Sequence, residues 1–189
     1  MKVAVLALQG AFIEHENVFR SLGAKCGELR QKSDLAHSFD ALVLPGGEST
    51  VQGKLLRELD MFDYLREKIV AGLPTLATCA GLILLAKNLS NDSSRHFGTL
   101  DVVVRRNAYG RQLGSFFTRG KFGEFEDVPM PFIRAPFIES AGAGVEILSR
   151  CDGKITAVRQ GKQLAMSFHP ELTDDRRIAD YFLKLAADR

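Results

Sequence analysis

Hydrophobic and polar positions along the chain fall into two textures. Lys2–Gln9 is a continuous apolar run of strand length, Phe12–Leu22 carries apolar residues at helical spacing, and Ala41–Pro45 is a second short apolar run that ends in Gly46-Gly47. Asp63–Ala71 predicts a helix that leads through Gly72 and Pro74 into another strand, which stops before Cys79. Ala80–Asn88 predicts a buried helix behind that cysteine. Strands and helices in alternation predict a mostly parallel, doubly wound sheet. From Gly98 the pattern shortens to β-rich pieces, Leu100–Arg105, Gly114–Thr118, Val145–Leu148, Ile155–Val158 and Leu164–Phe168, with turn signals at Asp152-Gly153 and Gly161-Lys162. These predict antiparallel strands that extend or cover the sheet. Thr173 is placed to cap a last amphipathic helix, with Asp174 and Asp175 in its first turn and Ile178, Tyr181, Phe182 and Leu185 on its apolar face. No repeat, linker or low-complexity segment interrupts the pattern.

Length adds that 189 residues, 46% of them hydrophobic, suit one domain over 1–189 with a substantial core. The 25 basic and 23 acidic residues nearly balance, with no long run of one sign. Nothing therefore calls for nucleic acid or an acidic membrane surface, and small-molecule or protein partners are expected. Cys26, Cys79 and Cys151 are odd in number and widely spaced, which suits a reducing compartment, the cytoplasm, better than a disulfide framework. The apolar run from Val3 to Leu8 is too short for a signal segment or a membrane span. Cysteine and histidine spacing matches no metal site, and no metal or cofactor is expected.

The candidate chemistry sits at strand ends. In an open α/β sheet ligands bind beyond the carboxyl ends of the strands, where Gln9-Gly10, Gly46-Gly47-Glu48-Ser49 and Thr78-Cys79-Ala80-Gly81 fall. A sharp strand-to-helix turn at Cys79 exposes its side chain, lets the next backbone N–H meet an oxyanion, and sets the thiol at the positive end of a helix. A lone cysteine more often packs as a small hydrophobe. His169 and Glu171, following the apolar Leu164–Phe168 run, change that balance. An imidazole can take the thiol proton, and a carboxylate behind it fixes the tautomer and stabilises the imidazolium. His15, His37 and His96 lack such a setting and read as surface or hydrogen-bonding residues. Paired glycines at 46 and 47 let the backbone turn and present N–H groups, and Glu48 suits an ammonium group. No phosphate-binding glycine motif is present.

Together, Pro45-Gly46-Gly47-Glu48-Ser49-Thr50, Thr78-Cys79-Ala80-Gly81 and Phe168-His169-Pro170-Glu171 resemble the class I glutamine amidotransferases, whose glutaminase domains use a Cys-His-Glu triad. More narrowly, Leu8-Gln9-Gly10, the Arg105–Gln112 segment, Phe132-Ile133-Arg134-Ala135-Pro136 and His169-Pro170-Glu171-Leu172-Thr173 resemble the glutaminase subunits of two-protein pyridoxal 5′-phosphate synthases, from Met1 to about Ala186. The resemblance implies a three-layer α/β/α, flavodoxin-like fold. It also implies hydrolysis of L-glutamine to L-glutamate, with ammonia passed to a separate synthase barrel subunit. By the same resemblance Cys79 is the nucleophile, His169 relays the proton and Glu171 orients His169. Gly47 and Ala80 supply oxyanion N–H groups, and Gly46, Gly47, Glu48, Arg106, Ile133 and Arg134 match glutamine-binding positions. Arg106 is chemically apt for the substrate carboxylate.

Gln9 matches a position near the oxyanion hole at the synthase interface, so the Gly46–Glu48 loop is expected to be completed only when the barrel docks. Two departures stand out. Ala77 replaces a glycine common two residues before the nucleophile, a small-for-small change that should fit, and Thr118–Pro131 reads as a compressed surface loop. The competing readings are a cysteine-elbow hydrolase or stress protein, a flavodoxin-like binding module, and a glutaminase of another system such as the imidazole-glycerol-phosphate or aminodeoxychorismate enzymes.

Overall fold

The computed structural model describes residues 1–106 and 115–188. Its strands are β1 (Lys2–Leu6), β2 (Lys25–Leu29), β3 (Ala41–Leu44), β4 (Thr75–Thr78), β5 (Ala86–Leu89), β6 (Leu100–Arg105), β7 (Ser115–Phe122), β8 (Phe125–Ile133), β9 (Phe137–Ala141), β10 (Glu146–Cys151), β11 (Lys154–Gln160) and β12 (Gln163–Met166). The helices are α1 (Phe12–Ser21), α2 (Ser49–Glu58), α3 (Phe62–Val70), α4 (Ala80–Leu85) and α5 (Arg177–Ala187), with short 3-10 turns at Lys32–Ala36 and Pro170–Leu172.

Among the described residues, ten strands form one sheet in the order β2-β1-β3-β4-β12-β11-β9-β6-β5, with β10 added beside β11. The half from β2 to β12 is parallel throughout, and β11 pairs antiparallel with β12, β10 and β9. Alternation along each buried strand divides the core into two layers. Ala4, Leu6, Leu42, Leu44 and Ala77 face α2, α3 and α4, where Leu56, Leu65 and Leu82 pack. Val3, Val5, Ala41, Val43, Leu76, Leu164 and Met166 face α1 and α5, where Phe19, Ile178 and Phe182 pack. The mostly parallel sheet with helices on both faces and antiparallel strands in the second half is the flavodoxin-like α/β arrangement expected.

Several details differ from the sequence reading. The helix after Cys79 stops at Leu85, because its six residues are wholly buried and the chain emerges at exposed Lys87 and Asn88 as β5, paired with β6. The Leu164–Phe168 run forms β12 at Gln163–Met166; it lies parallel to β4 and antiparallel to β11, so it is the seam of the sheet and not a covering piece. Thr118–Pro131, read as a surface loop, instead supplies most of the β7–β8 hairpin. Pro129 and Pro131 are tolerated there because β8 has a partner on one side only. The hairpin buries Phe122, Val128, Met130 and Phe132 in the α1–α5 layer. Thr173 does not cap α5: its hydroxyl bonds the Pro170 carbonyl and the Asp175 N–H, and Asp175 accepts the Arg177 N–H at the helix start. Strand β2, Lys-Cys-Gly-Glu-Leu, has no apolar run to announce it and lies at the sheet edge. Ala77 is fully buried without strain on the alternation, as the small-for-small substitution requires.

Candidate active site

Strands β1, β3, β4 and β12 are parallel neighbours, so their carboxyl ends open on one edge. The segments leaving those ends carry Gln9, Gly46-Gly47-Glu48, Cys79 and His169, which border one cavity of about 280 Å³ together with Arg106, Ile133 and Arg134. Ile83 and Leu172 complete an apolar side that sequence reasoning did not assign.

Cys79 stands at the turn between β4 and α4 with φ +47° and ψ −97°. A non-glycine residue in such a region stores roughly 1–3 kcal/mol of strain and persists only when its surroundings over-determine it. Here the Cys79 N–H donates to the Met166 carbonyl at 2.8 Å, continuing the β4–β12 ladder into the turn. Two residues on, Gly81 passes so close to β3 that a Cβ would lie 2.1 Å from the Leu44 carbonyl oxygen. The small residues around Cys79 thus let α4 pack directly against the sheet. The Cys79 Sγ lies 3.9 Å from the Ile133 carbonyl oxygen, and the side chain reaches the cavity despite being only 7% exposed.

His169 is brought in by the end of β12 and fixed from β8: its N–H donates to the Pro131 carbonyl at 2.9 Å, while the neighbouring Phe168 and Phe132 rings pack 5.7 Å apart. Pro170 then starts a single 3-10 turn that folds Glu171 back under the imidazole. Nδ1 of His169 lies 2.8 Å from Glu171 Oε1, and the carboxylate side chain is fully buried. Nε2 is buried and is left to the neighbouring Cys79. Burial, the largest single influence, pulls the His169 pKa down; the hydrogen bonds and charges of Cys79 and Glu171 together outweigh it and hold the imidazole at about 10. Burial likewise pushes the Glu171 carboxyl up, but His15 and His169 overcome it and leave the net shift downward.

The glycine loop is bound on both sides. The Gly46 N–H donates to Thr78 Oγ1 at 3.0 Å, and the Gly46 carbonyl accepts the Ala11 N–H at 3.0 Å. Gln9 Oε1 accepts the Glu48 N–H at 2.7 Å, and Gln52 Nε2 reaches both the Gln9 and Pro45 carbonyls. Glu48 caps α2, its carboxylate accepting the Thr50 N–H at 3.5 Å. Arg106 is held from several sides: its guanidinium pairs with Asp92, with Glu48 Oε1 at 3.2 Å and with Thr50 Oγ1 at 3.1 Å, and Asn91 hydrogen-bonds its backbone in both directions. A hydrogen bond from the Ser94 backbone leads the interactions that lower the Asp92 carboxyl to about 2, with Arg106 contributing. Arg106, expected from the resemblance to meet the substrate carboxylate, thus lines the cavity already engaged by two carboxylates of the chain. Asn107–Gln112 of the same motif lie outside the described residues.

Of the surface and hydrogen-bonding alternatives, His15 takes the second. It is buried, not on the surface, and its Nε2 lies 3.1 Å from Thr78 Oγ1 and 3.5 Å from Glu171 Oε1. Its place on the face of α1 that also carries Val18 and Phe19 was the signal available in the sequence. His96 is half-buried, with both ring nitrogens enclosed. Cys26 and Cys151 pack at the margin of the α1–α5 layer. Among the described residues, no group of three or more histidine, cysteine or acidic side chains is arranged to hold a metal ion.

Comparison with known proteins adds the lineage. A relative in Desulfitobacterium hafniense (strain Y51), named pyridoxal 5′-phosphate synthase subunit PdxT, is 63% identical over 188 residues, covering all of this chain and 94% of the relative. A protein of the same name in Streptococcus pneumoniae (strain ATCC 700669 / Spain 23F-1) is 50% identical over the whole of both chains. A solved structure described as a glutamine amidotransferase superposes with a TM-score of 0.92 at 44% identity, covering 98% of this chain and 99% of its own. The family described as SNO glutamine amidotransferase matches residues 5–187. The chain belongs to the SNO glutamine amidotransferase family.

Proposed function

We propose that this chain, as one domain over residues 1–189, is the glutaminase subunit of a pyridoxal 5′-phosphate synthase, hydrolysing L-glutamine and delivering ammonia to a separate synthase subunit. The family match and the names of its full-length relatives support that reading. The single observation that carries the chemistry is the placement of Cys79 and His169 at the wall of the strand-end cavity, with Glu171 buried behind His169 and bonded to its Nδ1.

In this reading His169 takes the Cys79 thiol proton, Cys79 Sγ attacks the side-chain amide carbon of glutamine, and the amide oxygen becomes an oxyanion met by the N–H groups of Gly47 and Ala80. An imidazolium at His169, favoured up to a pKa of about 10, supplies the proton with which nitrogen leaves as ammonia. The resulting thioester is cleaved by water that gives its proton to His169, releasing glutamate and the thiol. Buried Glu171 stays ionised and holds the Nδ1–H tautomer, the role a triad carboxylate plays without accepting the proton. Glu48 and Arg106 receive the amino-acid end of glutamine. The Arg106 guanidinium then exchanges its contact with Glu48 for the substrate carboxylate while Asp92 keeps it in place. Gly46, Ile133 and Arg134 shape the remainder of the cavity.

We place the protein in the cytoplasm, a reading that its three unpaired cysteines support; among the described residues no helix is long and apolar enough to cross a membrane. The test is glutamate release from glutamine by the purified chain, alone and saturated with a synthase subunit. Glutamate formation in the complex supports the reading, and a complex that forms without releasing glutamate contradicts it.

A further inference from the structure

Resting on the glutaminase reading above, we propose that His15 is a positioning residue for the reaction: with Thr78 it holds the Glu171 carboxylate in register with His169 and ties it to the turn that carries Cys79.

Helix α1 buries His15 on the same face as Val18 and Phe19, a stripe that otherwise packs apolar side chains into the sheet. Enclosing a polar ring there is unfavourable unless its nitrogens find partners. Nε2 finds them at Thr78 Oγ1, 3.1 Å away, and beside Glu171 Oε1, 3.5 Å away. The same Glu171 oxygen meets His169 Nδ1 at 2.8 Å, so one carboxylate oxygen lies between two imidazoles.

The tautomer follows from the charges. An ionised carboxylate 3.5 Å from Nε2 disfavours a lone pair on that nitrogen, which assigns the proton to Nε2. The N–H then donates to Thr78 Oγ1 and places its positive end beside Glu171. Thr78 Oγ1 also accepts the Gly46 N–H at 3.0 Å, so a single hydroxyl links His15, the residue before the nucleophile and the glycine loop.

Charge explains why a histidine suits this position. Burial is the largest influence on His15 and lowers its pKa; Glu171 opposes that shift without reversing it. The ring stays neutral at neutral pH. A neutral N–H orients the carboxylate without cancelling the negative charge that Glu171 presents to the His169 imidazolium. A lysine or arginine there would compete for that charge, and a leucine would leave the carboxylate free to turn.

The test is steady-state glutaminase kinetics of the complex with the synthase subunit, for wild type, His15→Leu, His15→Gln and Thr78→Val, each repeated in a Glu171→Gln background. His15→Leu fills the space without a donor, and its kcat is expected to fall about tenfold to a hundredfold with KM within about twofold. His15→Gln, which restores an N–H, is expected to recover part of the loss. Because His15 acts through Glu171, His15→Leu should add little once Glu171 is Gln. Equal losses in both backgrounds, or full kcat in a folded His15→Leu complex, overturn the assignment. If His15→Leu does not fold, His15→Gln and Thr78→Val decide: unchanged kcat in both overturns it, and a kcat loss that vanishes in the Glu171→Gln background supports it. A wild-type complex that releases no glutamate overturns the glutaminase reading itself, and the role of His15 with it.

Discussion

The imidazole of His169 packs directly on the backbone of Gly46: a Cβ added there would lie 2.2 Å from Cε1 and 2.9 Å from Nδ1. Glycine at this position is thus a condition of the ring's placement as well as of the loop's turn. Gly46→Ala is expected to displace the ring, and a misplacement of about 1 Å in a catalytic group lowers rate by roughly 100-fold. Glutaminase kinetics on the complex check this, with circular dichroism to establish that the variant is folded. A folded Gly46→Ala protein with wild-type kcat contradicts the packing.

The buried ion pair sets a pH signature. His169 holds its proton to about 10 in the folded chain against an ordinary value of 6.5, so its contribution to stability is complete below 6.5 and is lost as pH rises through about 10. Glu171 is shifted down from 4.5, so its contribution is present above that value and fades as pH falls below it. The Tm of wild type, measured against that of His169→Asn, is therefore expected to decline steadily between pH 6.5 and 10. A difference in Tm that stays constant across that window contradicts a raised His169.

Gln9 links the glycine loop to the protein surface that the synthase is proposed to cover. The Gly46 carbonyl is held by the Ala11 N–H, so across the same trans peptide the Gly47 N–H points the opposite way. The Gln9 side chain secures the next N–H, that of Glu48. Docking over Gln9 is expected to reorient this peptide and complete the oxyanion site. Aligning one donor corresponds to a gain of roughly 100- to 1000-fold in rate. Glutamate release by the isolated chain is compared with that of the saturated complex, for wild type and for Gln9→Ala. The gain should shrink in the variant, and full activity of the isolated wild-type chain contradicts gating while leaving the triad intact.

What the sequence disclosed and what it hid divide along physical lines. The buried strands β1, β3 and β4 were legible because each is apolar on both faces and closes on glycine or on the cysteine turn. His169 and Glu171 were legible because a polar pair directly follows an apolar run. Strand β2 was hidden because an edge strand needs no apolar run. The start of β7 was legible at Gly114–Thr118, but β8 was hidden behind Pro129 and Pro131, residues that suppress strand signals yet fit an edge. His15 was hidden because helical position alone does not reveal which atoms await a side chain on the sheet. Its partner Thr78 lies 63 residues along the chain and meets it only once α1 has packed on the sheet. Arg106 lines the cavity, and its clamp of Asp92 and Asn91 comes from a segment with no periodic pattern.

Covalent catalysis by Cys79, with His169 as its proton carrier and Glu171 as the orienting group, is proposed to release the ammonia. The most direct measurement is glutamate release by the synthase complex carrying Cys79→Ala, beside His169→Asn and Glu171→Gln. Replacing the thiol removes the nucleophile and little buried volume, so Cys79→Ala is expected to fold, to bind the synthase and to release no glutamate above background. His169→Asn should be nearly as low, and Glu171→Gln should retain more rate because it stands one step from the chemistry. A folded Cys79→Ala complex that releases glutamate at the wild-type rate would contradict the account.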